Sequence, residues 1–481
     1  MQRKQFFYVA AITLLLTLPV LTIPILPAPT QSNLQFEPLV LLAPDDAQYP
    51  TVGPFACTSP APVHHSTSFH CYNPANITKA YGVDSLHAAG ITGAGETIVI
   101  VDAYGSPTAQ NDLNFFSATF GLPTASLTIV YPDGTPTWST SAMKGVKVTW
   151  AVETSLDLQW AHAIAPDAKL VLIATNPAET EGVQGFPNMF KGIQYAIDTY
   201  PGSVISQSFA ATEQSFHGAG DAQVAKFDMV YQQAVANYVT VIGSSGDTGT
   251  QNPIGGQGAS KPKPLTYPTV NWPSSDPLVT SAGGTWLQYN WTWTPSSPTD
   301  LSYATTPGSR TEAVWNEPFL PAATGGGLST LFPAPAFQSG ISPSLLNGQR
   351  GLPDLSWNAA VDGGVLVYTS FPGEGAGWHI VGGTSAASPQ LAGLIALANQ
   401  KADMLGKSHH VGYLNPILYT LPASDFNDIV PQTFGSVTIN NNELYGSGVT
   451  GYPVTVGYDL ATGFGSPNAA NFVNDLANAL P

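Results

Sequence analysis

Six short β-branched runs limit what this chain can fold into. They are "TIVIVDA" (97–103), "SLTIVYP" (126–132), "KLVLIAT" (169–175), "SVISQSFA" (203–210), "YVTVIGSSGD" (238–247) and "LVTSAGG" (278–284). Continuous apolar runs of this length suit strands covered on both faces. Helix-like segments lie between them at 148–163, 185–199 and 221–237. Repeated β-α alternation predicts an α/β fold, a parallel central sheet with helices on both faces. In such sheets the functional site lies at the carboxyl ends of the strands. Residues 250–330, rich in Pro, Ser, Thr and Trp, read as long loops within the domain. The Gly- and Asn-rich tail from 411 to 481 ends in a short helix. No internal repeat interrupts the pattern, so one domain is expected over about 72–481.

Charge narrows the function. Charged residues make up 9% of the chain, against roughly a quarter in average soluble proteins. Lys and Arg total 14 against 31 Asp and Glu, a formal charge of −17. A basic surface for phosphate backbones is absent from such a chain, which excludes nucleic acid as a partner. Few fixed cations also means little self-repulsion in acid, where carboxylates discharge near pH 4.

Residues 1–27 begin with Arg3 and Lys4 and continue through about twenty apolar residues, interrupted by Pro19 and Pro24. This reads as an export signal or a single N-terminal membrane anchor. The chain is therefore expected to be extracellular, or anchored at the outer face of the membrane. Cys57 and Cys71 are the two cysteines, and in an oxidising compartment they would pair locally. A zinc site with His64, His65 and His70 is the alternative, although the spacing matches no established zinc pattern.

Three stretches carry candidate chemistry. In "HIVGGTSAASPQLAGLIALANQKA" a glycine turn leads into a strongly apolar helical run. Pro389 belongs in a first helical turn, which places the helix start just after Ser385. Ser385 then meets the free N–H groups and positive dipole end of a helix, which favour a developing anion. An ordinary N-cap serine is the plainer alternative. In "WAVETSLDLQWAHAIAPDAKL", Glu153 and Asp157 stand four apart on an otherwise apolar helix. Both carboxyls therefore share one face, and a half-buried pair of this kind shares a proton. Asp247 follows an apolar strand in "VIGSSGDTG", where a sheet presents functional groups, although Asp before Gly also suits a simple turn.

Glu153-x-x-x-Asp157, "SSGDTG" and "GGTSAASP", in that order, resemble the sedolisins, the serine-carboxyl peptidases. The likeness covers about 72–481 and includes "VTSAGGTWL" (279–287), "TGGGLS" (324–329) and "RGLPDLSWNA" (350–359). It implies a subtilisin-like fold, secretion, and hydrolysis of protein or peptide substrates at acid pH by a monomer. On matching positions, Ser385 would attack the scissile carbonyl and Glu153 would serve as general base and then acid. Asp157 would orient Glu153 and share its proton. Asp247, protonated, would donate to the oxyanion beside the Ser385 amide. The acid–base physics agrees: at pH 4 a histidine of pKa about 6.5 is neutral only about once in 300, whereas a glutamate near 4.3 is about half ionised.

The resemblance further implies a C-terminal calcium-binding loop holding one structural Ca²⁺. Its ligands would be Asp428, the carbonyls of Ile429, Thr455 and Gly457, and Asp459; two carboxylates with carbonyls form a hard oxygen shell. Thr455 stands where the family often has glycine, which matters little for a backbone ligand. The family carries a long propeptide, whereas residues 28–71 here read as a short pro-segment or spacer. Two rival readings remain. Asp102 in "VDAYG", His217 in "HGAG" and Ser385 run in the order of a subtilisin-type Asp-His-Ser protease. Against it, "HGAG" lacks the Val-Ala-Gly continuation, and Asp247 occupies the place of that site's oxyanion amide. The other rival is a non-catalytic surface protein on the same fold.

Overall fold

The computed structural model describes residues 41–42, 69–136, 138, 146–176, 185–216, 221–254, 263–372 and 376–481. The apolar segment 1–27, Cys57, His64, His65 and His217 lie outside the described residues. Cys71 is disulfide-bonded. His70, the remaining member of the zinc alternative, stacks on Trp291 with ring centroids 3.7 Å apart and sets Nδ1 2.9 Å from Asp362. Among the described residues no helix is long and apolar enough to cross a membrane.

The apolar runs form the strands of an eight-stranded sheet. They are β1 (Thr97–Ala103), β2 (Ser126–Val130), β3 (Lys169–Thr175), β4 (Val204–Gln207), β5 (Thr240–Ser244), β6 (Thr280–Trp293), β7 (Tyr303–Val314) and β8 (Leu355–Asn358). Their order is β7-β6-β5-β4-β1-β3-β2, with β8 joining β6. All neighbours run parallel except β6 and β7. The chain builds outward from β1 first on one side and then on the other, so the switch point falls at the carboxyl end of β1, beside β4.

Helices cover both faces. On one side lie α1 (Ala109–Phe120), α2 (Val146–Ile164) and, later in the chain, α5 (Thr384–Met404) and α6 (Ala469–Ala479). They bury Leu113, Trp160, Leu391 and Phe472 in one continuous core. On the other side lie α3 (Phe186–Thr199) and α4 (Asp221–Ala236), whose Phe190 and Tyr231 pack around Trp272. A helix that is apolar all round belongs inside a protein. Every residue of α2 from Trp150 to Ile164 is buried, so the helix carries its carboxyls inward with it.

The structure departs from the sequence expectation in two places. Residues 250–330 are not simply loops, because β6 and β7 form a long antiparallel hairpin. Its Trp286, Trp291 and Trp293 build a separate core with Trp315, Phe434 and Ile439. Thr and Trp favour strands, and the Pro and Ser among them mask that preference. The helix bearing Ser385 starts at Thr384, before the serine and not just after it, and Pro389 sits inside it. A proline there removes the bond to the Ser385 carbonyl and sets its ring against that carbonyl, near the start of the helix. A second hairpin, β9 (Gly364–Thr369) and β10 (Gly377–Gly382), delivers the chain to that helix.

Candidate active site

The path from β10 into α5 turns at Gly383, which caps the helix with φ 108° and ψ 157°. A side chain is strained at that φ, so the turn depends on glycine. Ser385 is the second helical residue. Its amide is therefore among the first helical N–H groups, which lack an intrahelical acceptor. Its hydroxyl is buried without a hydrogen-bond partner.

Helix α2 lies against α5 at close range. At Gly393 a Cβ would meet Ile164 Cβ at 2.8 Å and the Ala161 carbonyl at 3.3 Å. The missing side chain lets the two helices approach, and their packing brings Glu153 to Ser385. The Ser385 hydroxyl draws the Glu153 carboxyl downward, against burial and the negative charges of Asp157, Asp102 and Asp247, which hold it well above the ordinary glutamate range. Neither Glu153 oxygen nor Ser385 Oγ completes a hydrogen bond of normal geometry. Catalytic hydrogen bonds are commonly long in unliganded sites and tighten around substrate.

Asp157 is also raised well above its ordinary value, by burial and then by Asp102, with the Ser208 hydroxyl and Glu153 opposing. Asp102 completes the cluster from the carboxyl end of β1. Burial pushes it up to about 7, the Thr154 hydroxyl opposing, and both its oxygens lack a hydrogen-bond partner. Three carboxyls in one dry site cannot all ionise, so they titrate as a set. The sequence had offered Asp102 as the acid of an Asp-His-Ser site; the structure places it with the carboxyl pair.

Asp247 follows β5 and meets the residue preceding Ser385. Its Oδ1 accepts from the Thr384 amide and hydroxyl, each at 2.8 Å. The same hydroxyl accepts from the Gly246 amide at 3.1 Å. Oδ2 is buried and bonded to nothing. Burial lifts this carboxyl to about 7, against the Thr384 amide and hydroxyl. With Oδ1 occupied by two donors, the acidic proton resides on Oδ2, whose O–H is then the free donor. Thr384 was missed in the sequence, though it stands inside the Gly-Thr-Ser motif. Ser208 carried no sequence signal at all.

The calcium candidates also converge. The Gly457 amide donates to Asp428 Oδ2 at 3.0 Å, and the Thr455 amide to Asp459 Oδ2 at 3.1 Å. Asp459 Oδ1 accepts from the amides of Ala461 and Thr462. Among the described residues, no backbone amide donates to the carbonyls of Ile429, Thr455 or Gly457.

The sheet order, with a serine at the head of a buried helix and carboxyls around it, defines a subtilisin-like α/β fold. Pseudomonas sedolisin, a serine-carboxyl proteinase solved with two molecules of pseudo-iodotyrostatin, superposes with a TM-score of 0.64 at 25% identity, covering 85% of this chain and 98% of that one. Kumamolisin of Bacillus sp. (strain MN-32) is 30% identical over 407 residues, 82% of this chain and 62% of its own length. Sedolisin of Pseudomonas sp. (strain 101) is 28% identical over 405 residues, 83% of this chain and 60% of its own. Human tripeptidyl-peptidase 1 is 25% identical over 347 residues, 68% of this chain and 52% of its own. No protein-family model matches the chain. It thus spans less than two thirds of the length of these curated relatives, and it belongs to the sedolisin family.

Proposed function

We propose that the chain is a secreted serine-carboxyl peptidase that hydrolyses peptide bonds in acid, with residues 72–481 as its catalytic domain. Residues 1–27 would direct export or anchor the chain, and 28–71 would be a short pro-segment or spacer. The observation that carries this reading is the meeting of Glu153 and Asp157 with Ser385, together with the free Oδ2 of Asp247 on the Thr384 side of the serine.

The chemistry follows from the protonation states. Glu153 takes the proton from Ser385 Oγ as the oxygen attacks the scissile carbonyl, and returns it to the leaving amine. Asp157 holds the shared proton against Glu153, which keeps the pair at one negative charge. The oxyanion that forms on the substrate accepts from the Ser385 amide and the protonated Asp247 Oδ2. Such donors act strongly because they are aligned before charge develops. Water then releases the acyl group from Ser385 by the same steps in reverse roles.

The Asp428 and Asp459 carboxylates with the carbonyls of Ile429, Thr455 and Gly457 fit a hard cation, and these residues would hold one Ca²⁺. That ion would tie residues 428–429 to the 455–459 turn in a structural role. Substrates are proteins or peptides.

Purified chain incubated with denatured haemoglobin or casein between pH 2 and 6 should release peptides, and Ser385→Ala should release none. Folded, calcium-loaded protein that cleaves nothing across that range would instead favour a non-catalytic surface protein.

A further inference from the structure

Away from the catalytic carboxyls, at the opposite end of the same elements, lies a second group of titratable side chains. Glu96 immediately precedes β1, Asp403 is the penultimate residue of α5, and His410 stands in the loop beyond it. Ser385 and Asp403 mark the two ends of α5, roughly 27 Å apart at 1.5 Å per residue. One potential ligand atom from each of Glu96, Asp403 and His410 falls within 4.8 Å of the others.

The arrangement within this group is specific. His410 Nδ1 donates to the Gly202 carbonyl at 2.8 Å, which fixes the ring and turns Nε2 towards Asp403. Nε2 lies 3.4 Å from Asp403 Oδ1, and Nδ1 lies 3.6 Å from Glu96 Oε2. An imidazole whose other nitrogen is tied to a backbone carbonyl is the usual setting of a metal-binding histidine. Glu96 is 2% exposed, and its buried Oε1 has no hydrogen-bond partner. A buried carboxylate with a spare oxygen lacks part of the compensation that burial demands. Among the described residues no Lys or Arg ion pair supplies it. Lys407, three residues before His410, is held by the carbonyls of Asn478 and Leu480. Asp403 is exposed, so the group opens to solvent on one side and leaves room for water ligands.

We propose that Glu96, Asp403 and His410 form a binding site for a divalent transition-metal cation of the zinc type. One imidazole and two carboxylates suit such an ion, whereas calcium prefers oxygen alone. The site is distinct in residues and in chemistry from the calcium ligands at 428–459. It does not depend on the peptidase reading, since its readout is binding.

The test uses full-length protein stripped with EDTA, returned to excess calcium at pH 7, and titrated with zinc chloride by calorimetry and by thermal unfolding. Saturable binding of one zinc ion with a rise in Tm is expected. His410→Gln and, separately, the exposed Asp403→Asn should each weaken zinc binding by about tenfold or more, with the calcium response unchanged. Asp459→Asn should abolish the calcium response and leave zinc binding intact. Circular dichroism establishes that each variant is folded. Absence of saturable zinc binding by the parent protein, or zinc affinity unchanged in folded Asp403→Asn and His410→Gln, overturns the proposal.

Discussion

Glu153→Ala lowers kcat on a peptide substrate at pH 4 by about 10²–10⁴-fold, the range expected for a lost general base. KM moves little, because the carboxyl meets the serine and not the substrate's side chains. Glu153→Gln, which keeps the shape and loses the base, gives a similar loss. His217→Ala leaves turnover intact. The contrast decides between the two ways of activating Ser385. A histidine is almost wholly cationic at pH 4 and has no lone pair to offer, whereas Glu153 can act as base in those molecules whose coupled carboxyl set has given up one proton. Steady-state kinetics on the three variants give the answer. Loss confined to His217→Ala would assign the base to the histidine and return Asp102 to an Asp-His-Ser site.

The second large effect is at Asp247. Asp247→Ala removes an oxyanion donor and lowers kcat by about 10²–10³-fold. Asp247→Asn behaves differently. Its Oδ1 still accepts from the Thr384 amide and hydroxyl, so the amide nitrogen falls where Oδ2 stood and donates at any pH. The parent carboxyl donates only while protonated, and with its proton lost at about 7 activity fails as pH rises through that value. The asparagine variant should therefore keep substantial activity at pH 4 and carry its alkaline limb to higher pH. The pH dependence of kcat measures this. An alkaline limb unmoved in Asp247→Asn would place the limiting ionisation elsewhere.

The parallel sheet was legible because fully buried strands leave continuous β-branched runs. Thus 97–103 and 169–175 coincide with β1 and β3. The β6–β7 hairpin was hidden by its composition, since Pro, Ser and Thr suit loops as well as a strand edge. At the site, Glu153 and Asp157 were legible because an acidic pair on an apolar helix has no solvated face to occupy. Asp102 was legible as a residue at a strand end but not in its company. Which carboxyls it meets depends on how β1, β4 and α2 converge, and that is long-range geometry. Thr384 and Ser208 act through single hydroxyls, which leave no periodicity or spacing to read.

The buried carboxyls also make this fold a proton store. Asp102 and Asp247 are lifted to about 7 by burial, and so is Asp276, whose Oδ2 is likewise buried without a partner. In the unfolded chain each returns to the ordinary value near 4. Between those limits the folded state binds more protons than the unfolded one, so stability is full below about pH 4 and is lost as pH rises through about 7. Each such carboxyl weakens the charged fold by on the order of 4 kcal/mol. Tm should accordingly fall between pH 4 and pH 8, and a Tm rising with pH over that window would contradict the account. Folding in mild acid thus draws protons from the medium, and neutral surroundings loosen the same molecule.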